Sequence, residues 1–180
     1  MKYLALTALI LCQLSTAADW QSDPTQSELT YAVNFEQLPI NGQFKEFSVD
    51  YTPRQKLRVI VDISSVDMGN SDINEAIRDS DWFDIRQHRQ AEFFSDTINT
   101  LGEDQYTAQG MLQLKGISKP VTVPFSWNPA KTKTNSATMA GKLTLSRSEF
   151  AIGSPEWASG DQIGIDVDVS FSVEMLNAPN

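Results

Sequence analysis

The sequence predicts an all-β chain: an antiparallel barrel of about eight strands, broken by one short helix at residues 71–80. Two observations lead there. Apolar residues recur at every second position over most of the chain, the period of a strand with one face inward and one in water. The alternating runs are also long, and a sheet of long strands that closes on itself loses its exposed edges while one face encloses an interior. Residues 19–180 suit one domain with a real core, and no internal repeat or linker divides them.

The elements follow in order. Lys2 supplies a short positive region, and Tyr3 to Leu14 form an apolar run too short to span a bilayer. Ser15, Thr16, Ala17 and Ala18 complete the pattern of a secretory signal peptide over residues 1–18, cut after Ala17 or Ala18. A lipoprotein cut before Cys12 needs a small residue where Leu11 stands, so Cys12 is assigned to the signal. The mature chain is then expected to be exported, periplasmic and free of cysteine, which excludes disulfides and thiolate chemistry. Losing Lys2 leaves 13 basic against 23 acidic residues, a net charge of −10 with His88 neutral. Such a chain is repelled by nucleic acid and by anionic lipid surfaces.

Strands follow from Leu29, Tyr31, Val33 and Phe35, and then from Leu57, Val59, Val61 and Ile63. Further runs are Tyr106 to Leu114, Val121 to Trp127, and Met139 to Leu145. The last opposes Ile163, Ile165, Val167, Val169, Phe171, Val173 and Met175 to Asp166, Asp168, Ser170, Ser172 and Glu174. Segments near 43–51 and 91–98 complete the set. Turns are expected at Pro39-Ile40-Asn41-Gly42, at Leu101-Gly102-Glu103-Asp104 and from Lys115 to Pro120. Phe44 and Phe47 differ in parity, so either a bulge aligns them or one ring faces outward. Between the strands, Asn70 or Ser71 caps a helix whose Ile73, Ala76 and Ile77 share a face. Trp82 and Phe83 after it are placed to close one mouth of the barrel.

Catalytic chemistry finds little support. His88 is the only histidine and sits in a polar loop, which removes multi-histidine metal sites and weakens a serine triad. Asp166 and Asp168 share a face that also carries Ser170 and Ser172, a solvated outer surface. Asp79, Asp81 and Asp84 lack calcium-loop spacing and its glycine. The chain therefore reads as no enzyme, with no catalytic residue, metal or cofactor.

The motifs have a further meaning in combination. Gly42-Gln43-Phe44, Val61-Asp62-Ile63-Ser64-Ser65, Ser80-Asp81-Trp82-Phe83-Asp84 and Phe93-Phe94-Ser95 precede Gly110-Met111-Leu112-Gln113-Leu114-Lys115-Gly116-Ile117-Ser118-Lys119-Pro120-Val121. Arg147 to Gly153 and Gly160-Asp161-Gln162-Ile163 complete the order. In that order they resemble the YceI-like family of bacterial exported proteins over essentially the whole mature length. Two departures stand out: His88-Arg89 replaces a usual Tyr-Pro, and Ala151 a usual glycine.

The resemblance implies a lipocalin-like barrel around a polyisoprenoid, quinone or other lipid-like chain, as carrier or sequestering protein. It also implies a membrane cytochrome b-type partner; a homodimer is left open. On this reading Tyr31, Phe35, Phe93, Leu112, Leu114, Phe125, Trp127 and Phe171 line the interior, with the alternative that they merely fill it. Arg147 meets a polar headgroup if its strand end reaches the mouth, and otherwise pairs with Glu149 or Asp161. The rival function is a stress-response or interaction module with a filled barrel, anchored to a protein partner through Trp82 and Trp157.

Overall fold

The computed structural model describes residues 20–52, 56–131, 135–153 and 155–177; the expected signal segment and Cys12 lie outside them. Among the described residues the alternating runs form β1 (Trp20–Ser22), β2 (Glu28–Phe35), β3 (Leu38–Phe44), β4 (Phe47–Thr52), β5 (Lys56–Asp62) and β6 (Val66–Asp67). After α1 (Ser71–Ala76) come β7 (Gln90–Gly102), β8 (Gln105–Leu114), β9 (Ile117–Pro129), β10 (Ser136–Ser146) and β11 (Ile163–Asn177). Two 3-10 turns, Ile63–Ser65 and Arg147–Phe150, follow β5 and β10.

Eight of these strands close a ring in the order β1, β4, β5, β7, β8, β9, β10, β11, with β11 pairing back to β1. Every pairing is antiparallel. The other three raise the rim on one side: β2 continues along β11, β3 pairs with β2, and β6 pairs with β3. β1 and β2 are thus one interrupted strand, as are β3 with β4 and β5 with β6. The expected eight-stranded barrel is present, with three of its strands broken.

The 3-10 turn at Ile63–Ser65 interrupts β5 and β6, and the other two breaks have local causes of their own. Asp23 turns the chain between β1 and β2 by accepting from the Thr25 amide and hydroxyl. Between β3 and β4, the Lys45 amide donates to the Ser65 carbonyl and the Glu46 amide to Ser65 Oγ. Those two residues form a bulge that restores parity, so Phe44 and Phe47 both face inward.

One turn differs from expectation. The chain reverses at Glu36 and Gln37, both at positive φ, and Pro39 to Gly42 lie inside β3. Gly42 is there for space: a Cβ would strike Met68 Sδ and the Tyr31 ring. The other two turns tighten to Glu103-Asp104 and Lys115-Gly116, leaving Ile117 to Pro120 in β9. The helix is capped by Asn70, whose side chain accepts from the Asp72 and Ile73 amides. It stops at Ala76, and turns carry the chain on through Phe83; Ile73 stays 44% exposed while Ile77 faces inward.

The interior is filled in one half only. Toward the end that holds β1 and the β7–β8 turn, Ala108, Phe125 and Met175 are buried beneath Trp20, Tyr51, Tyr106 and Trp127. Trp127 meets Trp20 edge-on at 5.0 Å and Tyr51 at 5.6 Å, and Tyr106 stacks on Phe125 at 5.4 Å. This aromatic plug closes the barrel at that end.

Candidate functional site

Above the plug lies a cavity of about 230 Å³. Its wall follows from strand parity: Val59 and Val61 on β5, Leu112 on β8, Val121 and Val123 on β9, Leu143 and Leu145 on β10, Val167 and Val169 on β11. Its cover comes from outside the ring. Ile77, Trp82 and Phe83 reach over from the segment after α1, and Phe150 and Ile152 from the turn after β10. Among the described residues no polar surface faces the cavity. Even the Tyr31 hydroxyl donates to Met68 Sδ at 2.7 Å, and its burial pushes the phenol well above its ordinary value.

The cover is tied down by two cations. Arg147 is buried, 4% exposed, yet has no carboxylate partner among the described residues. Its Nε donates to the Gly164 carbonyl at 2.8 Å and Nη1 to Ile152 at 2.8 Å. Its Nη2 reaches both the Trp157 carbonyl at 2.5 Å and that of Ile163 at 2.7 Å. The guanidinium also lies 5.9 Å from the Trp82 ring centre, and burial lowers its pKa. Lys115 Nζ bridges the carbonyls of Asp81 and Ala151, at 3.3 and 2.8 Å. The Gly153 amide donates to that same Asp81 carbonyl at 2.7 Å. Gly153 itself has φ +76°, and a Cβ there would meet Arg147 Nη1 and the Trp82 ring.

The sequence-derived set divides three ways. Tyr31, Phe93, Leu112, Leu114, Arg147 and Phe171 line the cavity. Phe125 and Trp127 point inward but belong to the plug. Phe35 is corrected: it has inward parity, but it ends β2 beside the turn, beyond the wall, and is 39% exposed. Arg147 lies on the cavity, but its bonds run to four carbonyls and not to Glu149 or Asp161. Trp82 and Trp157 are half-buried, 6.2 Å apart between ring centres. The sequence reading missed Phe150 and Ile152, although both fall inside the quoted Arg147 to Gly153 motif.

The acids do structural work. Asp168 accepts from Thr144 and pairs with Lys142 at 3.0 Å on the outer face, which lowers its pKa. Among the described residues no three His, Cys, Asp or Glu are placed to hold a metal. His88 lies half-buried against Gly116. Asp67, where β6 leads into α1, is held well below the usual carboxylate range by Lys45, the Gly69 amide and Asn74. Burial alone would raise Asp62, but hydrogen bonds from Ser64 and Arg89 bring it down.

Depressed carboxylates contribute stability above their unfolded value and lose it as pH falls through the folded one. The melting temperature is therefore expected to hold from neutrality to about the ordinary value of 3.8 and to fall below it. Melts of Asp67→Asn across pH 2–7 should show a shallower acid limb. An unchanged limb would remove Asp67 as a cause.

Three comparisons bear on this geometry. A family model described as the YceI-like domain matches residues 20–175. A UPF0312 protein of Vibrio vulnificus is 29% identical over 118 residues, 62% of each chain, so the match spans less than two thirds of that relative. Among solved structures, BcnA of Burkholderia cenocepacia is 29% identical with a TM-score of 0.78, over 85% of this chain and 98% of that one. A polyisoprenoid binding domain from Saccharophagus degradans, 13% identical, superposes with a TM-score of 0.75 over 90% of this chain and all of its own. At that identity the second structure speaks for the fold.

Proposed function

We propose that this chain, which belongs to the YceI-like domain family, is a binding protein that holds a long apolar chain inside its barrel. The ligand class is isoprenoid, quinone or fatty-acid-like, and the protein carries or sequesters it instead of transforming it. The observation that carries the reading is the cavity itself: closed below by an aromatic plug, covered above, and without polar surface. Such a space rewards buried hydrocarbon, about 25 cal/mol per Å², and offers nothing to a polar group. The polyisoprenoid named for the Saccharophagus domain is chemistry of this kind. The rival, a filled barrel, describes the lower half alone. Export to the periplasm is part of the proposal and rests on the pattern of residues 1–18. A cytochrome b-type partner and a homodimer remain proposals apart from the cavity, tested by co-purification from membranes and by sedimentation.

Mass spectrometry of lipid extracted from the purified protein tests the reading, together with uptake of farnesol by stripped protein. A prenyl or alkyl chain is expected in the extract. Ala91, on β7, lines the cavity with the smallest side chain in its wall. A ring placed there takes the room of several methylene groups at about 0.8 kcal/mol each. Ala91→Phe is thus expected to lower uptake at least about tenfold while the melting temperature holds or rises. Protein that stays empty and takes up no chain would overturn the proposal.

A further inference from the structure

We infer that the floor of the cavity gauges chain length: the far end of the ligand stops on Phe93 and Met139, and isoprene units beyond that point add no affinity. The inference rests on the binding reading above. Five residues belong both to the cavity wall and to the buried core cluster: Val49, Leu57, Phe93, Met139 and Val173. They form the boundary between the hollow half and the filled half. Directly behind them stand Ala108, Phe125 and Met175, none exposed beyond 6%, so packed side chains occupy the barrel axis beyond the floor. Packing at crystal density yields to one added methylene only by strain, so this floor is a sharp stop.

The orientation follows from polarity. A polar end driven to the floor meets only hydrocarbon and loses its hydrogen bonds to water. Arg147 does not invite it inward either, because its guanidinium is engaged by four carbonyls. Polar groups gather instead at the mouth, where Lys115 bridges the Asp81 and Ala151 carbonyls. The chain therefore enters tail first, with its head near Lys115.

Binding of linear prenols lengthened one isoprene unit at a time, from geraniol through farnesol and geranylgeraniol to geranylfarnesol, tests the gauge. Affinity is expected to rise about tenfold or more per unit while the tail gains buried area, then less than threefold past a break. The break falls inside this series because the cavity of about 230 Å³ is smaller than the roughly 300–1,000 Å³ of ordinary ligand clefts. Met139→Ala and Phe93→Leu, checked for fold by circular dichroism, should each move the break to a longer chain. Val173→Leu adds to the floor without truncating the core and should move it to a shorter one. Leu114→Ala at the mouth should weaken every prenol and leave the break in place.

A break unmoved by the floor variants, or moved by Leu114→Ala, overturns the gauge. So does binding that rises through the whole series without a break, which leaves the binding reading standing. If no prenol binds at all, the binding reading fails and the gauge with it.

Discussion

Arg147→Met is expected to destabilise the protein by about 3–5 kcal/mol, since a buried group left without its hydrogen-bond partner costs about 1–3 kcal/mol and several are left so here. Methionine nearly preserves the volume and removes every donor. Four carbonyls, on Ile152, Trp157, Ile163 and Gly164, then lose a charge-assisted partner at once. Two of them lie in the stretch between the second 3-10 turn and β11, and the other two on the first residues of β11, so the loss frees that covering segment from the strand it is tied to. For a domain of this size the melting temperature should drop on the order of 10 °C. Lysine is expected to rescue little. Its compact ammonium cannot reach carbonyls set around three nitrogens of a planar fork. Denaturant titration of both variants decides the matter: a loss below about 1 kcal/mol for Arg147→Met would mean that water serves the carbonyls equally well.

The second large effect is expected at Gly110, at about 3 kcal/mol for Gly110→Ala. An added Cβ would fall on the Phe94 carbonyl oxygen and within 2.6 Å of Ser95 Cα. Both are backbone atoms of the facing strand, so no side chain can turn aside to make room. The site is sensitive for another reason. The pairing of β7 with β8 shifts register just past Ser95, which stands opposite Gly110. Ser95 is wholly buried, and its hydroxyl accepts the Leu57 amide at 2.7 Å. Moving β7 outward strips that amide of its partner. Gly102→Ala, where nothing lies within 4 Å, should change stability by less than about 0.5 kcal/mol and serves as the reference. Equal effects at the two glycines would refute the argument.

What the sequence discloses here depends on the kind of signal. Parity is written in the side chains, so the face of nearly every strand is legible, β11 above all. Parity says nothing of depth, however. Phe93 and Phe125 alternate in the same way, yet one touches the cavity and the other fills the plug. The odd spacing of Phe44 and Phe47 leaves a bulge and an outward ring equally open, and the inward placement of both rings decides for the bulge. Pro39 and Gly42 misled for a different reason: glycine and proline mark turns on average, whereas here glycine clears space beside Tyr31. The role of Arg147 had no signal at all. Its partners are main-chain carbonyls, which every residue possesses and no sequence distinguishes.

The pairing of β11 with β1 and β2 has a consequence in time. All the other broken or unbroken strands of the ring pair with the next one along the chain. This seam alone joins the two ends, with the Glu174 amide donating to Ser27 Oγ across 147 positions. Bringing such distant segments together carries the largest loop-closure entropy in the fold and places it among slow-folding topologies. A chain that emerges amino-terminus first makes its local hairpins early and then waits. Until the final strand arrives, two unpaired edges stand open, and that interval is when the protein is most exposed to aggregation.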